Sequence, residues 1–105
     1  MDAKELLNII RDKLESKFGG MISNIILFGS RADGSAHEHS DYDILIVLTS
    51  TYDWKLEREI YDVCYEIDIE KDILIDAKII SVAEIDEPRG KQPFILNALE
   101  SGMHE

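Results

Sequence analysis

The sequence predicts an α/β fold in which a small mixed β-sheet packs against helices, and three observations carry that expectation. Residues 23–28 (SNIILF) and 43–48 (DILIVL) are short, almost wholly apolar runs, as buried strands are. Stretches before the first run and after the second repeat apolar residues every three or four positions, as amphipathic helices do. The elements alternate along 105 residues with no repeat, low-complexity tract or linker. One compact domain over residues 1–105 is therefore expected, with helices behind one face of the sheet and an open cleft for a site.

From Asp2 to Phe18, Leu6, Ile10, Leu14 and Phe18 form one helical stripe with Leu7 beside it. Asp2 and Glu5 have the spacing of a helix start, and Gly19-Gly20 stops the helix. The first strand follows and ends at Gly29. Residues 29–40 (GSRADGSAHEHS) hold turn formers without apolar periodicity and read as a loop. After the second strand, residues 49–53 supply turn and cap residues for a helix whose buried face is Leu56, Ile60, Val63, Cys64 and Ile67. A third strand is predicted over residues 74–80. Ser81 and Glu84 have capping-box spacing, and a last helix runs from Phe94 to Ser101, closed by Gly102.

Composition narrows the function classes. A formal net charge of −11, from 22 acidic and 11 basic residues, repels phosphate backbones and anionic lipid. Nucleic acid is a disfavoured partner and membrane is excluded. The same field would repel a triphosphate unless divalent cations invert it locally. Cys64 is the only cysteine, which rules out an intrachain disulfide and fits a cytoplasmic location.

The chemistry concentrates in Gly29-Ser30, a spacer of ten residues, and Asp41-Tyr42-Asp43 at the head of the second strand. Side chains alternate along a strand, so Asp41 and Asp43 share a face about 7 Å apart, and both can reach a pair of cations. Two magnesium ions held there would clamp the attacking and leaving oxygens of a displacement on phosphorus. Magnesium prefers a few carboxylates completed by phosphate and water. Gly29 lets backbone approach a phosphate, and the Ser30 hydroxyl can donate to its oxygens. Taken singly, a Gly-Ser is a turn and an Asp-x-Asp a solvated strand end; their combination between two apolar strands is far more specific.

These residues resemble the DNA polymerase β-like nucleotidyltransferase superfamily, and most closely its minimal nucleotidyltransferase branch, the MntA-like antitoxins. The matching positions are Gly29, Ser30, Arg31, Ala32, Gly34, Ser40, Asp41 and Asp43, with the element order matching along the whole chain. One departure is Asp33, where the branch commonly has arginine. The resemblance implies a nucleotidyltransferase fold and a protein adenylyltransferase that uses two Mg2+ ions to move AMP from ATP to an acceptor hydroxyl. Asp41, Asp43 and a third carboxylate, Asp76, with Asp72 as runner-up, would bind metal and carry catalysis. Gly29, Ser30, Arg31 and Ser40 would hold the nucleotide. The implied acceptor is a tyrosine of a helical HEPN-domain toxin, in a homo- or hetero-oligomer; the alternative is a weakly catalytic nucleotide-binding module that neutralises the partner by contact.

Other residues carry weaker readings. His37 and His39 could ligate a transition metal but are more simply solvated loop residues. Tyr42 should point away from the two aspartates and pack in the core. Tyr52, Trp54, Tyr61 and Tyr65 could form a partner surface, with Trp54 equally suited to capping the core.

Overall fold

The computed structural model describes residues 2–29, 41–87 and 91–104. Helix α1 spans Ala3–Phe18, strand β1 Ile22–Phe28, β2 Tyr42–Leu48, helix α2 Trp54–Lys71, β3 Ile75–Ser81, helix α3 Pro93–Ser101, and a two-residue strand, β4, Met103–His104. Each predicted helix and strand is present to within a residue or two. The strand order is β3-β2-β1-β4. β1 runs antiparallel to β2 and to β4, and β2 runs parallel to β3, so the sheet is mixed.

The caps are those the sequence marks. The Asp2 carboxylate accepts from the Glu5 N–H at 2.8 Å, and the Asp53 carboxylate accepts from the Leu56 N–H at 2.9 Å, each satisfying a first-turn donor. Gly19 ends α1 with φ +61°, a conformation that glycine adopts without strain. Glu84 accepts from the Ser81 N–H at 3.0 Å, as the capping-box spacing requires.

Alternation along the strands sends side chains to both faces of the sheet. Ile25, Leu27, Tyr42, Ile44, Ile46, Leu48 and Ile79 face α1 and α2, meeting Leu6, Ile10, Leu14, Ile60, Val63 and Ile67. Ile26, Phe28, Leu45, Val47 and Ile80 face the other way and meet Ile95 and Ala98 of α3. The helices therefore lie on both faces, not one. The central strands show why: they are apolar on consecutive positions, which a sheet open on one side would not tolerate. Tyr42 lies in the larger cluster, as its place between the two aspartates predicts.

β4 is an element the sequence does not announce. Two residues have no periodicity, and the signal is instead Gly102: a Cβ there would strike the Ile26 side chain and the Ala98 carbonyl. The missing side chain lets the chain turn off α3 and pair with β1 at Ile26 and Leu27. No helix of the described residues is long and apolar enough to cross a membrane.

Candidate active site

Strand direction assembles the site. β1 leaves the sheet at Phe28, while β2 and β3 enter it at Tyr42 and Ile75, so three strand termini meet at one end. The Tyr42 N–H donates to the Leu74 carbonyl at 2.8 Å, fixing the parallel register at its first step. That register sets Asp43 directly opposite Asp76, and the antiparallel register sets Phe28 beside Asp43. Both aspartates lie on the face that α3 covers farther along, alternating with the residues of the larger core.

Asp43 is the partly buried member, while Asp41 and Asp76 are exposed. Its carboxyl titrates above the usual aspartate range, first because of burial, then because Asp76 and Asp41 are negative neighbours; a hydrogen bond to Asp76 adds to the shift, and Lys78 opposes it. Negative charge is thus gathered faster than the chain neutralises it. Lys78 follows Asp76 by two residues on the same strand face, and its Nζ lies 3.2 Å from Asp76 Oδ1. That pair is half exposed and contributes little to stability; its effect is on the local field.

Gly29 closes the site from the β1 side. Its φ is +72°, and a Cβ would run into the Asp43 carboxylate. Glycine is required here by conformation and by contact, and it brings main chain against the aspartate. Ser30, Arg31 and Ser40 lie outside the described residues, as do Asp33, His37 and His39.

Two participants are not named by motif. Asp68, in the last turns of α2, accepts from the Ile75 N–H at 2.9 Å and so pins the first residue of β3, one position before Asp76. Its carboxyl is pushed up by burial and, to a smaller degree, by Asp41, which places Asp41 within electrostatic reach of it. The available signal was an acidic residue near a helix C-terminus, where the dipole disfavours it unless it has another task. Lys78 had a signal as well, being a cation at i+2 from an aspartate on one strand. Asp72, the alternative third carboxylate, instead caps α2 in the left-handed region at φ 55°, with its N–H donating to the Asp68 carbonyl.

The donor set fits hard cations. Among the described residues it offers only carboxylates near open solvent, and Cys64 is buried with its thiol pushed up to about 12 by desolvation and by Asp68, leaving it unreactive. Among the described residues no three His, Cys, Asp or Glu side chains are already gathered into a metal-holding group.

Comparison with known proteins decides the family. The family described as "Polymerase beta, Nucleotidyltransferase" matches residues 8–97. The chain belongs to the polymerase β nucleotidyltransferase family. It is 33% identical over 102 residues to the candidate protein adenylyltransferase MJ0604 of Methanocaldococcus jannaschii, covering 97% of this chain and 96% of that one. A second candidate protein adenylyltransferase of that organism, MJ0141, is 33% identical over 88 residues, covering 80% of this chain and 81% of that one. Among solved structures, a toxin–antitoxin crystal structure with AMP-PNP superposes with a TM-score of 0.61 at 20% identity, covering 93% of this chain and 70% of that one. A mutant of the toxin–antitoxin MntA-HpeT gives 0.59 at 16% identity, covering 99% and 72%. At those identities the structural likeness concerns the fold, and it agrees with the mixed sheet and helices of this nucleotidyltransferase.

Proposed function

We propose that this nucleotidyltransferase moves AMP from ATP to a hydroxyl of a protein partner, a tyrosine of a HEPN-type toxin, and so acts as the antitoxin of the pair. The observation that carries the reading is the register that sets Asp43 opposite Asp76 with Gly29 against the Asp43 carboxylate. Relatives named as candidate protein adenylyltransferases and toxin–antitoxin structural neighbours support the choice of acceptor.

Asp41 and Asp43 would hold two magnesium ions, and Asp76 would complete the set. The ions would supply charge neutralisation at the triphosphate and at both reacting oxygens. Gly29 positions main chain for close approach of the phosphates, joined by Ser30, Arg31 and Ser40. Asp76 accepts the proton of the acceptor hydroxyl as its oxygen bonds to the α-phosphorus; the α–β phosphoanhydride bond breaks and pyrophosphate leaves. Lys78 answers the charge of Asp76 and keeps that carboxylate oriented on the strand face. The rate gain comes mainly from positioning and charge neutralisation. The chain would work in the cytoplasm as a single-domain subunit of an assembly with its partner.

A second reading, contact neutralisation without turnover, is favoured by Asp33, which puts a negative charge in the phosphate loop where arginine is common. The two readings part in one experiment. The purified chain is incubated with its helical partner, ATP and magnesium, and the partner's mass is measured. Transferase action adds one AMP, which disappears in Asp41→Asn and Asp43→Asn. Neutralisation that survives those substitutions with no mass change would overturn the transferase reading in favour of contact.

A further inference from the structure

The start of β3 is held from both sides. Among the described residues β3 lies at the edge of the sheet and pairs only with β2. On the inner side the Leu74 carbonyl accepts from the Tyr42 N–H at 2.8 Å. Successive residues of a strand turn their main-chain groups to opposite sides, so the Ile75 N–H points off the free edge, away from β2. Asp68 meets it there, its Oδ1 accepting that N–H at 2.9 Å. The same residue gathers the connection out of α2, since its main-chain carbonyl accepts from the N–H groups of Asp72 and Ile73. Three hydrogen bonds to one residue thus set the path of residues 72–75 between helix and strand.

The load on that path is electrostatic. Asp76 follows Ile75 directly and stands opposite Asp43, which also has Asp41 as a negative neighbour, and repulsion among the three pushes the start of an edge strand outward. Other side chains close the free edge toward the far end of β3: the Tyr52 hydroxyl donates to the Ile79 carbonyl at 3.1 Å, and Glu84 accepts from the Ser81 N–H at 3.0 Å. At the site end the closing group is Asp68. A carboxylate is disfavoured there, because the last turn of a helix repels negative charge and because burial and Asp41 both push its carboxyl up. We propose that Asp68 is a positioning residue of the nucleotide site, which clamps the Ile75 N–H on the edge of β3 and so keeps Asp76 in line with Asp43 and Asp41. The inference rests on the reading that these three aspartates bind magnesium and triphosphate, and it adds what holds the third of them in place.

Asp68→Asn and Asp68→Ala separate the hydrogen bond from the charge. Both remove the charge, but only asparagine keeps an acceptor for Ile75. Alanine is the better helix former, so a defect confined to Asp68→Ala is not a loss of α2. In the ligand-free chain the Ile75 amide should exchange with solvent about tenfold faster in Asp68→Ala than in Asp68→Asn or wild type. With magnesium present, ATP should bind Asp68→Ala about tenfold more weakly than Asp68→Asn, which should stay within about threefold of wild type. A second pair of variants in the Asp76→Asn background gives a readout that general loosening of the fold would not move. With the positioned carboxylate gone, Asp68→Ala and Asp68→Asn should bind ATP within about twofold of each other. Equal exchange at Ile75 in all three chains would remove the clamp. Equal affinity of Asp68→Ala and Asp68→Asn, or a gap between them that persists in the Asp76→Asn background, would overturn the positioning role. AMP transfer does not enter these measurements: a wild-type chain that binds ATP with magnesium but modifies no partner keeps Asp68 in its role and sinks only the transferase reading, whereas a wild-type chain that binds no ATP with magnesium sinks both.

Discussion

Asp43 carries the cost of the site. Burial and two negative neighbours raise its pKa, so the folded state binds this proton more tightly than the unfolded chain does. The sign follows directly: stability at this residue is lost as pH rises from the ordinary aspartate range through the raised value, and the cost is fully present at neutral pH. Asp43→Asn removes that charge and supplies an N–H for Asp76. In divalent-free buffer at pH 7 the variant should melt a few degrees above wild type, and the gap should close as the solution is acidified through the raised pKa. A variant that melts lower, or a gap that widens in acid, would remove the repulsion from the account. With magnesium and ATP present the order should invert, because only the wild type gains a ligand.

At the scale of elements, most of the fold was legible because most elements are specified locally. The Asp2 and Asp53 caps, the helical stripes and the two apolar runs are each written within a few residues of where they act. Asp53→Ala should cost about 1 kcal/mol in denaturant melts, the usual loss for an N-cap. What stayed hidden depends on pairing. The second helical layer over the sheet follows from which face α3 reaches, and β4 from a contact between Gly102 and Ile26 across the sheet. In the site, the Gly-Ser and Asp-x-Asp pattern marked Gly29, Asp41 and Asp43, and the likeness to a family marked Asp76. Asp68 acts through a hydrogen bond to Ile75 seven residues on, which no motif encodes. Gly29 carries a prediction of its own. Gly29→Ala puts a methyl group against the Asp43 carboxylate at a positive φ, costs about 1–2 kcal/mol of stability, and should abolish the thermal shift on adding magnesium and ATP, whereas Gly20→Ala, at an open position, should keep it.

At the scale of the whole molecule, a chain of net charge −11 brings Asp41, Asp43 and Asp76 to one sheet end. Under the proposed function, that charge makes triphosphate binding depend on divalent cations. Magnesium with ATP, at a hundred times the dissociation constant, should stabilise the chain by about 2.7 kcal/mol, a rise on the order of 10 °C for a domain of this size, whereas ATP with a chelator should give none. The central claim is that the carboxylates at this end transfer a nucleotide, and the fate of labelled phosphate tests it most directly. With magnesium and the helical partner present, label in the α-phosphate of ATP should become covalently attached to the partner, label in the γ-phosphate should not, and Asp43→Asn should abolish the transfer. Attachment of the γ label, or α-label transfer that persists in Asp43→Asn, would contradict it.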